Sequence, residues 1–170
     1  ERIIKSVGNS VTAPRDIQNS EQAKIIFFSL SESVAERLRG YALKGGKVHL
    51  SLRSNDLLRI ERQIKLPQPT NLSGEISSAA MTLLAKNYNW ERPLRGAGIR
   101  VSELTPENAP YQLSMLGEHI KRERSEKLER CIQQLRGRFG YWAVARGSVL
   151  TDKSLSRAEL SDCSLPQAGL

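Results

Sequence analysis

The chain has 170 residues, enough for one domain of ordinary size and an appendage but too few for two full domains. Its 26 Lys and Arg outnumber 18 Asp and Glu, and the net charge of +8 favours a polyanionic partner such as nucleic acid. Hydrophobic residues make up 39% of the chain, sufficient for a core, but no uncharged apolar run reaches the length of about 18 residues that a membrane span needs.

Lys5 to Thr12 can form a short strand, interrupted by Gly8 and Asn9 and ended by Pro14 before a helix entry. Asn19 is a good N-cap with Gln22 three residues on, and Ala23, Ile26, Phe27, Leu30, Val34, Leu38 and Tyr41 recur at the spacing of one helical face. Gly45 and Gly46 are expected to close that helix. Lys47 to Arg53 then alternates strictly, with Val48, Leu50 and Leu52 on one face and Lys47, His49, Ser51 and Arg53 on the other.

Ser54-Asn55-Asp56 supplies a turn, and Arg59 to Leu66 alternates again with Ile60, Ile64 and Leu66 inward, which predicts a hairpin; Arg62 breaks the parity. Pro67 and Pro69 end it. Ser73 can cap a second helix with Ile76, Ala80, Leu83, Leu84 and Tyr88 as its apolar stripe. Arg95 to Leu104 sets Ala97, Ile99 and Val101 opposite Gly98, Arg100 and Ser102, the last strand of the unit. The expected fold class is α+β: a β-α-β-β-α-β order, with a four-stranded antiparallel sheet and two helices on one face. The uncovered face is the polar, basic one.

The unit is expected to occupy residues 1–105, followed by a linker over 106–117 that starts with Pro106 and Pro110. A helix and short strand are expected over 118–152, the helix carrying Ile120, Leu128, Cys131, Ile132 and Leu135 as apolar positions, the strand formed by Arg138 to Trp142 with Ala143 to Arg146. Cys131 reads as core, since nothing nearby completes a metal site. A poorly ordered tail is expected over 153–170.

No chemistry is legible. Two-metal nucleotidyl transfer needs clustered carboxylates, whereas Asp16, Asp56, Asp152 and Asp162 each stand alone. His49 and His119 have no partners that announce a triad, and Gly45-Gly46 joins helix to strand, the reverse of a phosphate-binding loop. No catalytic residue and no metal ligand are assigned. Cys131 and Cys163 form neither a disulfide framework nor a zinc pattern, in keeping with a reducing, cytoplasmic setting. The first residues, Glu1-Arg2-Ile3-Ile4-Lys5, contain neither an initiator Met nor a signal-peptide pattern, which is expected of a piece of something longer.

Lys5-Ser6-Val7-Gly8-Asn9-Ser10, the alternating strand ending at Arg53, Arg62-Gln63 before Leu66, and Arg95 with Gly98-Ile99-Arg100-Val101-Ser102 come in a familiar order. Together, over roughly residues 3 to 105, they resemble the little finger domain of Y-family DNA polymerases, the C-terminal domain of the DinB, UmuC and ImpB/MucB/SamB group. The resemblance implies a sheet laid along duplex or primer-template DNA and tethered to a palm domain. It also implies no cofactor in this chain, with magnesium belonging to the parent polymerase, and a role in error-prone translesion synthesis, the damage response and DNA repair. By motif, Ser6, Gly8 and Asn9 would meet backbone phosphates through amides and small polar groups, and Arg62, Arg95 and Arg100 would supply charge. Arg62 would need a local bulge to turn outward. The family often has a second basic residue where Gly96 stands here. Face geometry adds Lys47, His49, Arg53 and Lys65.

Further on, Gln112-Leu113-Ser114-Met115-Leu116 is similar to the peptide by which bacterial polymerases bind the sliding clamp, usually Gln-Leu-Ser/Asp-Leu-Phe; here the aromatic anchor is given up. Leu135-Arg136-Gly137-Arg138-Phe139-Gly140 and Arg146-Gly147 resemble the C-terminal extension of bacterial UmuC-like polymerases. The alternative is an RNA-binding module of the same β-α-β-β-α-β order, which would stack bases on aromatic residues of its central strands; none of these strands contains Phe, Tyr or Trp. A third reading is a pure assembly domain whose basic face is incidental.

Overall fold

The computed structural model describes residues 4–110 and 118–156. Four strands, β1 (Ser6–Ile17), β2 (Leu43–Ser54), β3 (Arg59–Thr70) and β4 (Leu94–Pro106), form one antiparallel sheet in the order β1-β4-β2-β3. Helices α1 (Ser20–Gly40) and α2 (Ser73–Asn87) pack side by side over one face. The β-α-β-β-α-β order and the α+β class are those expected.

α1 starts where Asn19 Oδ1 accepts from the Gln22 amide at 3.0 Å and Gln22 Oε1 accepts from the Gln18 amide at 2.9 Å, so two free amides are satisfied reciprocally. Its stripe Ala23, Ile26, Phe27, Leu30, Val34 and Leu38 is fully buried against Val48, Leu50, Ile99 and Val101 of the central strands and Ile76, Ala80 and Leu84 of α2. Burying such side chains contributes about 1.5–3 kcal/mol each, which makes this face the source of most of the fold's stability.

Several boundaries differ from expectation. β1 continues through Pro14 to Ile17, because an edge strand tolerates a missing donor and a register shift between Thr12 and Ile17 absorbs the break. α1 stops at Gly40 rather than at Gly45-Gly46, which lie inside β2. Ser73 is the first helical residue of α2 and not its side-chain cap.

The chain then forms α3 (Glu118–Phe139), a 3-10 turn (Tyr141–Ala143) in place of the expected small strand, and two short helices, α4 (Gly147–Leu150) and α5 (Lys153–Ser156). Leu155 is 1% exposed and joins the core, so residues 153–156 are not the loose tail expected from 153 onward.

Apolar spacing along α3 misleads. Ile120, Leu128 and Cys131 are exposed, and Cys131 is not core. The helix lies against the domain through Arg122, Glu126, Glu129, Gln133 and Arg136, which share one side at spacings of three and four. Glu129 accepts from the Ser73 amide at 3.0 and 3.1 Å and from its hydroxyl at 2.6 Å, and from Arg39 Nη1 at 2.5 Å. A carboxylate of α3 thus sits at the N-terminus of α2, where amides and dipole favour negative charge. Arg136 pairs with the buried Glu32 of α1 at 3.2 Å, and Tyr141 donates to the same carboxylate. Burial, then the Glu32 charge, pushes the Tyr141 phenol up. Arg122 reaches Gln68 Oε1 at 2.7 Å and the Pro69 carbonyl at 2.5 Å.

Candidate nucleic-acid interface

Pairing register turns the open side of the sheet into a grid. Since directly paired residues share a face, four cross-strand rows can be read off: Ser6, Ser102, Lys47, Lys65; then Gly8, Arg100, His49, Gln63; then Ser10, Gly98, Ser51, Glu61; and last Thr12, Gly96, Arg53, Arg59. The first and last rows are six residues apart along β2, about 20 Å at the rise of a strand. Between them lies a broad, open concavity of about 990 Å³ whose lining includes His49, Ser51, Glu61, Gly98 and Arg100, with atoms of Asn9 and Arg62 also contributing to it.

Ser6, Gly8, Lys47, His49, Arg53, Lys65 and Arg100 all fall on this face, as their alternation requires. Two expected residues do not. Asn9 pairs with Ile99 and is turned toward the helices, where Nδ2 donates to Ser33 Oγ at 3.0 Å. Its contribution is to position β1. Arg62 stands opposite the buried Leu50, on the helix side; β2 and β3 run in unbroken register from Lys47↔Lys65 to Arg53↔Arg59, so no bulge turns it outward. Its guanidinium donates to Asn87 Oδ1 at 3.1 Å and to the Glu61 carbonyl at 2.8 Å.

The irregularity lies instead at Arg95. β4 pairs Gly96 with Arg53 and Leu94 with Ser54, leaving Arg95 as the extra residue between them. Simple alternation would place Arg95 with Ala97 on the core side. The extra residue frees it from that parity, and it lies 3.5 Å from Asp16.

Charges on the face are unevenly neutralised. Lys47 is paired with Glu103 at 2.7 Å, and hydrogen bonding from Lys47 holds the Glu103 carboxyl below the usual range. His49 lies 2.7 Å from Ser102 Oγ, and burial, then the charges of Arg100 and Lys47, lower its pKa. Among the described residues, Arg59, Lys65 and Arg100 have no hydrogen bond or ion pair from their side chains. Arg59 was not singled out from the sequence, although its parity with Glu61, Gln63 and Lys65 signals it. Ser10, Thr12, Ser51 and Ser102 complete the polar lining. Two like-charged pairs, Lys47↔Lys65 and Arg53↔Arg59, sit directly opposite each other at the two ends of the grid, an arrangement that destabilises a sheet unless an anion answers it; Glu103 answers the first, and among the described residues no ion pair answers the second.

Glycine shapes the middle. A Cβ at Gly98 would lie 2.6 Å from Ser51 Oγ, and one at Gly96 would lie 2.8 Å from the Val11 carbonyl. β4 therefore presents a low strip there, over which side chains of its neighbours can lie. Arg53 uses it, crossing β4 at Gly96 to donate to Thr12 Oγ1 at 2.7 Å. A cation thus lies over the position where the family often carries a second basic residue.

Among the described residues no group of three or more His, Cys, Asp or Glu converges to hold a metal. No described helix is long and apolar enough to cross a membrane. Gln112, Leu113, Ser114, Met115 and Leu116 lie outside the described residues.

A model of the impB/mucB/samB family C-terminal domain matches residues 4–115. Over 154 residues the chain is 42% identical to a DNA polymerase IV of Acetivibrio thermocellus, covering 91% of this chain and 39% of that one. Over 153 residues it is 33% identical to a DNA polymerase IV of Clostridium kluyveri, covering 86% and 38%. The chain spans about two fifths of the length of these curated relatives. Among solved structures, the complex of beta-clamp processivity factor and little finger domain of PolIV superposes with a TM-score of 0.50 at 19% identity, covering 65% of this chain and 98% of that one, a likeness of fold.

Proposed function

Given that the chain belongs to the impB/mucB/samB family of C-terminal domains, we propose that it is the DNA-holding little finger of a Y-family DNA polymerase, acting in translesion synthesis and DNA repair. The observation that carries this reading is the pair of like-charged crossings, Lys47↔Lys65 and Arg53↔Arg59, bracketing Arg100 and His49 on a sheet face that no other described element covers. Glu103 offsets that repulsion at Lys47; among the described residues no ion pair offsets it at Arg53 and Arg59, where a row of phosphates would. Duplex DNA carries one phosphate per strand for about every 3.4 Å of axis, so the ~20 Å face can meet several phosphates of one backbone.

In this reading Ser6, Gly8, Lys47, His49, Arg53, Lys65, Arg95 and Arg100, joined by Arg59, contact the backbone without selecting bases. Small residues and exposed amides admit the phosphates, and the cations neutralise them. Asn9 fixes β1, and Arg62 braces α2. The chain itself catalyses nothing. Nucleotidyl transfer, with its magnesium, belongs to the remainder of a cytoplasmic polymerase. Gln112 to Leu116 dock on the sliding clamp, the Gln amide anchoring and Leu113, Met115 and Leu116 filling apolar pockets; the relative in the solved complex is likewise a little finger domain with a clamp.

The test is a salt titration of duplex binding by the 170-residue chain. With four to six phosphates neutralised, the logarithm of affinity should fall with log salt at a slope of about −4 to −5. An affinity that does not change with salt overturns the reading.

A further inference from the structure

The β2–β3 hairpin ends in two leucines held out in water: Leu57 is 70% exposed and Leu58 is 58% exposed. They are not a loose loop. Ser54 receives a backbone bond from Leu57 at 3.1 Å and gives one to Leu58 at 3.0 Å, the Asn55 amide donates to the Pro93 carbonyl at 3.1 Å, and Asp56 is bonded by Ser54 Oγ and paired with Arg92. Leu57 adopts φ 70°, a left-handed conformation that costs a branched, bulky residue energy. The turn therefore spends backbone strain and apolar hydration to present these side chains.

Adjoining the tip is the last row of the grid. Arg53 and Arg59, the cross-strand pair that opens the hairpin, are like charges directly opposed. Arg53 Nε is buried and has no hydrogen-bond partner among the described residues. Both arginines line a smaller concavity of about 200 Å³ together with Thr12, Ser51, Gly96 and one carboxylate, Glu61. An apolar tip backed by two arginines and a single carboxylate does not suit an ordinary apolar protein surface, which would desolvate Arg59 with no ion pair and Arg53 with only the Thr12 hydroxyl as partner among the described residues. It suits a polyanion that also offers non-polar surface.

We propose that the hairpin tip is a second DNA contact, in which Arg53 and Arg59 hold a phosphate while Leu57 and Leu58 pack on the deoxyribose and base edges of the adjacent groove. The inference rests on the proposed DNA-holding function and extends it from electrostatic grip to apolar packing. Protein side chains of this kind serve as wedges in grooves, where they contribute affinity that salt does not screen.

The experiment compares the wild-type 170-residue chain with Leu57→Asn/Leu58→Ser, using a fluorescently labelled duplex across a salt series. Asn tolerates the left-handed conformation, so the double variant should melt at no lower temperature than the wild type. Its duplex affinity should fall about tenfold at every salt concentration, with the slope against log salt unchanged. Equal affinity of the two proteins overturns the inference and leaves the DNA-holding function standing. A wild type that does not bind duplex removes that function and this inference together. Loss of self-association in sedimentation, with duplex affinity kept, would make the tip a protein contact and overturn the proposal.

Discussion

Arg53 lies across Gly96: its Nη2 is 3.5 Å from where a Gly96 Cβ would stand and donates to Thr12 Oγ1 on the far strand at 2.7 Å. One side chain of β2 thereby spans β4 and reaches β1, which is possible because β4 has no side chain at the crossing. A Gly96→Ala variant would press its Cβ to 2.8 Å from the Val11 carbonyl, and backbone there cannot rotate away. Set against the entropy that Ala saves in the unfolded chain, a net loss of about 1–2 kcal/mol is expected. Thermal unfolding followed by circular dichroism would show it as a fall in Tm of several degrees.

Arg100 and Arg62 should part company in DNA binding. Arg100 projects from the open face with no partner among the described residues, while Arg62 is tied to Asn87 beside α2. Arg100→Gln should weaken duplex binding by about 1 kcal/mol at low salt and make the salt slope shallower by about 0.9. Arg62→Gln should leave the slope unchanged. Fluorescence anisotropy at several salt concentrations separates the two.

His49 gives opposite pH signs to stability and to binding. Burial, then Arg100 and Lys47, hold its folded pKa below the ordinary value of 6.5, against the weaker pull of Glu61 and Glu103. Below 6.5 the unfolded chain takes the proton first, so this contribution to stability is complete above that pH and is lost as pH falls toward the folded pKa. A phosphate beside the ring would favour the imidazolium, so duplex affinity should rise as pH falls through the same window. His49→Gln should flatten both dependences, read by urea unfolding and by binding at pH values around 5.5 to 7.5.

Glu129 should decide whether α3 stays docked. Its carboxylate is 7% exposed and is shared by Ser73, Arg39 and Arg146. Glu129→Ala would leave Arg39 buried with one partner fewer, at a cost of about 3–5 kcal/mol. Hydrogen exchange should then show loss of protection along α3 and the first turn of α2, with the β2–β4 pairing still protected. Glu129→Gln, which keeps the shape and one acceptor oxygen, should retain part of that protection.

For the clamp, the direct comparison is the wild type against Gln112→Ala/Leu113→Ala/Met115→Ala, titrated into a bacterial sliding clamp by surface plasmon resonance. Removing the amide anchor and two apolar contacts should weaken docking at least tenfold. Equal binding would take this peptide out of the interaction. Duplex affinity should be the same for both proteins.

Sequence alone determined what short-range periodicity can encode. The 3.6-residue stripe from Ala23 to Leu38 defined α1, and the two-residue alternation of Lys47 to Arg53 already named the outward residues of β2, because both patterns depend only on how a chain places successive side chains. The order of elements followed, and with it the uncovered basic face. What required the tertiary structure were relations between distant segments. Arg62 and Arg95 both violate simple alternation, and nothing local distinguishes them; the extra residue falls at Arg95 because β4 must accommodate Arg53 and Ser54 of β2, while Arg62 remains in register and turns to Asn87. α3 misled for a related reason: its apolar residues suggested one buried face, but the side that docks is charged, since the surface awaiting it holds the amide end of α2, Arg39 and Glu32. Periodicity reports which side chains would avoid water. It does not report which charges find partners across the fold, and those pairings set how this chain's appendage is held and which of its cations remain open to a partner.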